Sequence, residues 1–192
     1  MELFNYKQGE LEPQKGDLLI SEPFLRDPNF SRTVILLCEH NAEGSFGFVL
    51  NKPASVAIHQ LLEKISRQDE VFIGGPVQQN MLQFIHSNNS LIEGGLEVKS
   101  GIFWGGNFEQ MIACLENGLI TSDEIRFFVG YSGWGAGQLE SEMAVNSWII
   151  CRNAHVEQIL DTNVDSLWKE ILNTMGGKYR IISNFPVDPR LN

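Results

Sequence analysis

The chain has 192 residues, with 14 basic against 24 acidic side chains and a formal net charge of −10. Its 43% hydrophobic and 20% charged residues are typical of a globular protein, which excludes disordered, collagenous and coiled-coil classes. A chain of this length suits a single domain and can bury roughly 70% of its unfolded surface without a disulfide or a metal. We predict a polar N-terminal arm over residues 1–15 and one domain over residues 16–192.

The negative charge is spread evenly, because each half of the chain carries seven basic and twelve acidic residues. A surface that binds DNA or RNA needs clustered cations, and the densest group here is Lys178 with Arg180. The longest apolar runs have five residues, whereas a membrane-spanning helix needs about 20. The N-terminal region also lacks the apolar segment of a secretion signal. We therefore expect a cytoplasmic protein that contacts neither nucleic acid nor membrane directly.

The three cysteines, Cys38, Cys114 and Cys151, are far apart in the sequence and lie among apolar neighbours. This pattern predicts reduced thiols in the core, and no cysteine spacing indicates a zinc site. We accordingly predict no metal and no cofactor.

The first half of the domain predicts an antiparallel hairpin built on a central strand. Residues Val34–Cys38 are apolar at every position, which is typical of a strand covered on both faces. Turn-forming residues at 40–44 lead into an antiparallel partner, which Asn51 ends. The elements predicted in this half are strands over 17–21, 32–39, 46–50, 71–73 and 82–86 and a helix behind Ser55 that includes Ile58, Leu61, Leu62 and Ile65.

The second half alternates strands with helices. Asn107 is predicted to cap a helix with Gln110 at the capping-box position, and Gly118 to end that helix. The glycine-rich segment 130–137 is predicted to be a loop. Because strands and helices are interlaced and the early hairpin is antiparallel, the pattern favours one α+β domain over a doubly wound parallel sheet. The other elements predicted here are strands over 101–104, 126–131 and 148–151 and helices over 139–146 and 164–175.

The glycine-rich segment does not fit the known phosphate-binding loops. Gly133, Gly135 and Gly137 lack the glycine that the dinucleotide fingerprint requires at the position of Gln138. A P-loop requires a lysine that this segment does not contain. Two interpretations remain, either a tight turn with Trp134 packed inward or a binding loop that uses backbone amides and the indole of Trp134.

Glu140 and Glu142 are candidates for paired acid–base carboxylates. On a helix, residues two apart diverge by about 200°, so Glu142 would share a face with Gln138 while Glu140 points elsewhere. The alternative is that both are solvated acids near a helix start, where the macrodipole favours them.

Two histidines, His40 and His86, lie at the ends of predicted strands. Cys38 and His40 are two apart on a strand, so we expect their side chains on one face, about 6.6 Å apart at Cα. Burial within an apolar run would make the Cys38 thiol inert. A metal pair formed by the two histidines and ordinary surface or capping roles both stay open.

Three segments carry a combined pattern over about residues 16–177. The first contains Gly16-Asp17-Leu18, Pro23, Asp27-Pro28, Glu39-His40, Asn51 and Pro53. The second contains Gly74-Gly75-Pro76-Val77, His86 and Gly105-Gly106-Asn107. The third contains Gly130-Tyr131-Ser132-Gly133-Trp134, Gly137-Gln138-Leu139-Glu140, Glu142, Trp148 and Trp168. This combined pattern resembles the AlgH/YqgE-like family of bacterial proteins.

The resemblance implies a single α+β domain whose mixed, mostly antiparallel sheet is bifurcated and curled into a pseudo-barrel with flanking helices. It implies no reaction, because the family has no established one. Members are often described as transcriptional regulators on genetic grounds. The net charge of −10 favours an indirect regulatory role for this chain.

The leading hypothesis is a non-catalytic binding module whose partner is an unidentified protein or small-molecule ligand. We expect the end of the first hairpin, the turn at 74–77 and the segment 133–138 to converge on one surface. The predicted binding residues are His40, Asn51, Gly75, Pro76, His86, Gly133, Trp134, Gly137, Gln138 and Glu142.

Two other hypotheses stay open. One is a small hydrolase or transferase with His40 or His86 as the base, backbone amides of the glycine-rich segment as an oxyanion cradle, and a carboxylate from Glu39, Glu140 or Glu142. The other is a regulator that binds DNA directly, which predicts a salt-dependent complex with duplex DNA.

Overall fold

The computed structural model describes residues 11–162 and 164–187, which form ten strands and six helices. The strands are β1 (Leu18–Ser21), β2 (Val34–Asn41), β3 (Gly44–Val49), β4 (Pro53–Ala57), β5 (Glu70–Ile73), β6 (Val77–His86), β7 (Leu96–Lys99), β8 (Ile102–Trp104), β9 (Ile125–Gly135) and β10 (Trp148–Cys151). The helices are α1 (Ile58–Leu61), α2 (Phe108–Glu116), α3 (Gln138–Ala144), α4 (Val156–Leu160), α5 (Leu167–Met175) and α6 (Gly177–Ile182).

The strands form one mixed sheet that divides at β9, and together with the helices they make an α+β domain. Its main path has the order β10-β1-β2-β3-β9-β6-β8-β7, and β4 and β5 form a side branch. The strand pairs are antiparallel, apart from β5 with β9. The C-terminal part of β9 pairs with β3, whereas its N-terminal part pairs with β5 and β6. The sheet is therefore bifurcated, as the family resemblance implies.

The branch depends on a close approach of three backbone segments. A Cβ atom on Gly75, whose φ is 156°, would lie 2.2 Å from the carbonyl carbon of Tyr131. The carbonyl of Gly74 accepts a hydrogen bond from the backbone of Val49 at 2.9 Å, and its N–H donates to the carbonyl of Val129 at 2.9 Å. Because any side chain at these positions would separate the strands, glycine is needed here.

The sheet curls so that the two edge strands of its main path, β7 and β10, approach each other. Lys99, the last residue of β7, donates to the carbonyl of Arg152, just beyond the end of β10, at 2.8 Å. Lys15 donates to the carbonyl of Glu97 in β7 at 2.9 Å. Among the described strands no ladder joins β7 to β10, so the sheet is an open pseudo-barrel that does not close.

Three buried clusters cover the two faces of the curled sheet. The inner cluster fills the curl and contains residues of α4, α5 and α6, such as Trp168. One outer cluster packs beneath α1 and α2 and includes Phe127, and the other packs beneath α3 and includes Trp134. Because both faces are covered, Val34–Leu37 of β2 are fully buried, which confirms the prediction of a central strand.

A buried arginine in β9 connects to helix α4 and to the residue that follows β3. One terminal nitrogen of Arg126 donates to the carbonyl of Ile159 at 2.8 Å, and the other donates to the carbonyl of Leu50. The guanidinium carbon lies 4.0 Å from the centre of the Phe72 ring. Burial lowers the pKa of Arg126 to about 9, which still leaves the guanidinium charged at neutral pH.

The prediction of a helix behind Ser55 is confirmed only for one short turn, and its predicted cap is wrong. Residues Pro53–Ala57 pair with β5 as strand β4, and Ser55 has a φ of 50° within it. Only the four residues Ile58–Leu61 are helical. Pairing with β5 therefore places Ser55 in a strand and not at a helix N-cap, and the helix begins only at Ile58.

The prediction of a loop over residues 130–137 is also wrong for most of its length. Strand β9 continues from Ile125 to Gly135, and its last four residues pair with β3. Only two residues separate the end of β9 from the start of α3. The glycines thus belong mainly to a strand crowded by its neighbours.

The capping of α2 is confirmed only in part. The Asn107 side chain accepts a hydrogen bond from the backbone N–H of Gln110 at 3.0 Å, as an N-cap does. The Gln110 side chain, however, accepts from the backbone N–H of Glu93 at 2.8 Å, so it does not complete a capping box. Strands β4 and β7 and helices α4 and α6 were not predicted.

Candidate functional site

An open cavity of about 600 Å³ lies at one mouth of the curled sheet. It forms where the end of the β2–β3 hairpin, the start of β6 and the C-terminal half of β9 meet. The sequence analysis predicted that these three parts of the chain converge on one surface. The cavity is lined by Glu39, Asn41, Glu43, Gly44, Ser45, Phe46, Phe48, Val77, Gln78, Gln83, Trp104, Tyr131, Gly133 and Trp134.

The inner wall of the cavity is aromatic because alternate residues of neighbouring strands face into the curl. Phe46 and Phe48 alternate along β3, and Phe46 pairs with Gly133 of β9. The Phe46 ring centre lies 4.7 Å from that of Trp104, at 63°, and 6.0 Å from that of Tyr131, at 80°. Such edge-to-face contacts are favoured by the ring quadrupoles. The Phe46 ring is therefore steeply inclined to both of its aromatic neighbours in the wall.

A glycine and a hydrogen bond fix the positions of two of these rings. A Cβ atom on Gly133 would lie 3.1 Å from Cε2 of Tyr131, so the absence of a side chain leaves room for the tyrosine ring over β9. The indole N–H of Trp104 donates to Oε1 of Gln83 at 3.1 Å. The predicted site residue Gly133 thus contributes by making space for an aromatic neighbour.

The rim of the cavity is acidic. Glu39 pairs with Phe46 across the hairpin, and directly paired residues share a face of the sheet. Nδ2 of Asn41 donates to Oε1 of Glu39 at 2.7 Å, and Oδ1 of Asn41 accepts from the backbone N–H of Glu43 at 2.8 Å. None of the described residues that line the cavity is lysine, arginine or histidine. The lining therefore supplies two carboxylates and no positive charge.

A β-bulge between Leu37 and Glu39 decides which side chains face the cavity. Cys38 packs in the inner cluster, and burial raises the pKa of its thiol, so it is an inert core residue. Beyond the bulge, His40 pairs with Ser45. The prediction that Cys38 and His40 share one face is wrong, because the bulge changes the alternation of the strand between them.

His40 belongs to a short polar chain on the outer face of the sheet. Its Nδ1 lies 2.7 Å from Oγ of Ser45, and its Nε2 lies 3.8 Å from Oε1 of Glu140. Ser45 pairs with Trp134, whose indole packs in the outer cluster beneath α3. Since paired residues share a face, these polar side chains point away from the aromatic wall of the cavity.

The indole of Trp134 packs inward, with 5% of the residue exposed. Its N–H donates to Oε2 of Glu142 at 2.9 Å, and the Trp148 indole donates to the same oxygen at 2.7 Å. Gln138 donates to Oε1 of Glu142 at 3.0 Å, which confirms that Gln138 and Glu142 share one face of α3. Glu142 is therefore the common acceptor that fixes two buried tryptophans.

Two other predicted site residues have structural contacts away from the cavity. Asn51 joins the ends of two strands, since it accepts from the N–H of Val34 at 2.9 Å and donates to the carbonyl of Arg32 at 2.8 Å. His86 is fully buried, and its Nε2 lies 2.9 Å from the carbonyl oxygen of Gly105. Burial lowers the pKa of His86, which keeps the ring neutral at neutral pH.

The remaining predicted residues lie in the turns beside the cavity. Gly75 forms the strand branch, and the exposed Pro76 directly precedes Val77, which lines the cavity. Gly137 precedes α3 with a φ of 72°. Only Gly133 and Trp134 of the predicted residues are among those that line the cavity.

Sequence reasoning missed the aromatic wall, in particular Phe46, Trp104 and Tyr131. The alternation of Phe46 and Phe48 along a predicted strand was the one signal available, because it places both rings on one face. The approach of Trp104 to Phe46 joins strands distant in sequence and depends on the curl of the sheet.

The described part of the chain contains neither a candidate metal cluster nor a candidate membrane span. Its His, Cys, Asp and Glu side chains form no group of three or more able to hold a metal ion. None of its helices combines the length and the apolar character that crossing a bilayer requires. His40 and His86 face different partners, Ser45 and Gly105.

Comparison with known sequences identifies close relatives. The chain matches the model of a family described as AlgH-like over residues 18–180. It is 43% identical over 180 residues to a UPF0301 protein of Cytophaga hutchinsonii, covering 93% of this chain and 98% of that relative. It is 41% identical over 178 residues to a UPF0301 protein of Chlorobaculum tepidum, covering 92% and 95%.

Two solved structures resemble this one. A Corynebacterium diphtheriae protein, 21% identical, has a TM-score of 0.77 and covers 96% of this chain and 98% of its own, a likeness that shows the fold alone. The solution structure of the AlgH protein from Pseudomonas aeruginosa, 26% identical, has a TM-score of 0.73 and covers 94% and 98%. The match to the family model over most of the chain, together with relatives of more than 40% identity, shows that this chain belongs to the AlgH-like family.

Proposed function

We propose that the protein is a cytoplasmic, non-catalytic binding module that acts indirectly in regulation by taking a ligand into the cavity at the mouth of its sheet. The observation that carries the proposal is the cavity of about 600 Å³, which four segments distant in sequence build around an aromatic wall. A mostly preformed, aromatic-lined cavity with a few polar groups is the usual form of a small-ligand site.

The side chains at the cavity support binding better than catalysis. The described lining contains no cysteine, histidine or lysine that could act as nucleophile or base. The hydroxyl of Ser45 is hydrogen-bonded to His40 on the outer face, where Trp134 packs. Glu39 and Glu43 are both exposed at the rim, and no histidine, cysteine or lysine of the described lining accompanies them.

A hydrolase or transferase is the second candidate, and the chain Ser45–His40–Glu140 is the observation that favours it. A serine beside a histidine and a carboxylate is the pattern of nucleophilic catalysis. That function requires substrate access to Ser45, which is only 9% exposed. Turnover of ester and phosphoester substrates should therefore be at background level and equal in the wild type and His40→Ala. Turnover lost in His40→Ala would overturn the binding proposal in favour of catalysis.

The proposal is tested by nuclear magnetic resonance with a mixture of neutral, anionic and cationic aromatic fragments. The four tryptophans supply internal controls, because Trp104 lines the cavity whereas Trp168 donates to the buried carbonyl of Ser21 at 3.0 Å. We expect at least one class of fragment to shift the Trp104 indole signal and the Gly133 amide signal saturably, without moving Trp168. If no class does so, the cavity is not a ligand site and the proposal fails.

A further inference from the structure

We infer that the cavity selects an organic cation, a small molecule whose ammonium group sits between the aromatic rings and the acidic rim. This inference rests on the proposed function, because it names the ligand class of the same site. It is carried by one juxtaposition: rings of Phe46, Trp104 and Tyr131 stand at steep angles beside the carboxylates of Glu39 and Glu43.

The arrangement of the rings suits a cation. The plane of the Phe46 ring is inclined by 63° to that of Trp104 and by 80° to that of Tyr131. Rings inclined in this way do not stack face to face, and all three line the same cavity. The face of an aromatic ring is the negative part of its quadrupole and attracts an ammonium group within about 6 Å. Several rings around one space form an aromatic cage for alkylammonium ions.

The charges around the cavity also favour a cationic ligand. Glu39 lies on the cavity face of the hairpin through its pairing with Phe46, and Asn41 connects it to the backbone of Glu43. No lysine, arginine or histidine among the described lining residues neutralises these carboxylates. The chain as a whole carries a net charge of −10. An anionic ligand would therefore meet repulsion at the rim, whereas a cation is attracted to it.

The size of the cavity indicates a small molecule. Its volume of about 600 Å³ lies within the range of small-ligand pockets, roughly 300–1,000 Å³. A single lysine side chain would leave most of this space empty. The amides of Gln78 and Gln83, also in the lining, add polar groups able to orient the rest of the ligand.

The test compares choline with 3,3-dimethylbutan-1-ol, a neutral molecule of nearly the same shape, at constant ionic strength. The readout is the Trp104 indole signal, with Trp168 as the unaffected reference. We expect a saturable shift with choline and affinity about tenfold weaker for the neutral analogue. Equal affinity for the two would overturn the inference. So would tighter binding of the matched anion, 3,3-dimethylbutyrate.

Substitutions test the acidic rim and the aromatic wall of the cavity separately. Glu39→Gln with Glu43→Gln removes the exposed charges, and we expect choline binding to weaken about fivefold to tenfold. Glu140→Gln, on α3 at the outer face, is the matched control and should bind like the wild type. Tyr131→Leu should weaken choline more than Tyr131→Phe, which keeps the ring. Choline binding unchanged in the double variant and in Tyr131→Leu would overturn the inference.

Further probes distinguish failure of this inference from failure of the proposed function. If neutral aromatic fragments shift Trp104 but no cation does, the binding module stands and the cation inference falls. If no probe shifts Trp104, both fall. A tetralysine peptide that binds more tightly than choline at the same ionic strength would overturn the assignment to a small molecule, because the cation would then come from a protein.

Discussion

Individual side chains in this protein have roles that their residue types alone do not reveal. Glu142 has the appearance of a candidate catalytic acid, yet it accepts hydrogen bonds from the indoles of Trp134 and Trp148 and from Gln138. The two tryptophans are 5% and 2% exposed. A buried N–H that loses its acceptor costs about 1–3 kcal/mol. Glu142 is therefore a stabilising residue on the outer face.

We predict that Glu142→Ala lowers the free energy of unfolding by about 2–3 kcal/mol, because the shared acceptor of two buried indoles is removed. Urea unfolding followed by circular dichroism measures this change. Glu140→Ala, two residues away on the same helix, is the control. Its contact with His40, at 3.8 Å, is partly exposed and should contribute less than about 1 kcal/mol. Equal effects of the two substitutions would contradict the assigned role of Glu142.

At the scale of elements, β9 organises the molecule because it pairs with three other strands. Its sequence predicts a strand only as far as Tyr131, since the glycines beyond resemble a loop. The structure extends the strand to Gly135, because β3 supplies a hydrogen-bonding partner there. A glycine-rich segment has little preference of its own for a strand. The neighbouring element, distant in sequence, decides its conformation.

The branch at β9 gives a prediction about Gly75. A Cβ atom there would lie 2.2 to 2.4 Å from the backbone of Tyr131 and Ser132. We expect Gly75→Ala to destabilise the fold by about 3 kcal/mol or more, or to prevent folding. Gly137→Ala is the control, because Gly137 also has a positive φ, 72°, but no atom beyond its chain neighbours lies within 4 Å of a Cβ placed there.

The control substitution should cost only about 1 kcal/mol, the strain of a left-handed alanine. Thermal unfolding of both variants measures the difference. If Gly75→Ala unfolds no more easily than Gly137→Ala, backbone crowding at the branch is not what requires glycine.

At the scale of the whole molecule, charge and curvature limit the partners. The net charge of −10 is spread over the chain, and the cavity adds two carboxylates without a described cation in its lining. The described strands β7 and β10 share no ladder, so the curled sheet stays open. The side chain of Lys99 connects β7 to the residue after β10. An open cavity in an acidic protein is better suited to a small neutral or cationic ligand than to a polyanion such as DNA.

We predict that the protein does not bind duplex DNA, even at low salt, where phosphate contacts are strongest. A mobility-shift titration with a short duplex measures this, and a basic DNA-binding protein serves as the positive control. A complex that weakens steeply as salt rises would contradict the prediction. Such a complex would favour the hypothesis of a protein that binds DNA directly.

The sequence by itself determined the class of the fold, the central strand β2, the sharing of one α3 face by Gln138 and Glu142, and the family. Each of these depends on local periodicity or on residues in a recognisable order. The sequence also indicated that the hairpin end, the turn before Val77 and the end of β9 lie near one another.

Only the tertiary structure decided which side chains face the cavity. The bulge after Leu37 turns His40 away from Cys38, and pairing with β5 makes a strand of residues 53–57. Trp104 reaches Phe46 because the sheet curls, bringing together strands far apart in the chain. A bulge, a branch and a curl are set by contacts between distant segments, whose energies no local pattern contains. The site is therefore a property of the assembled sheet.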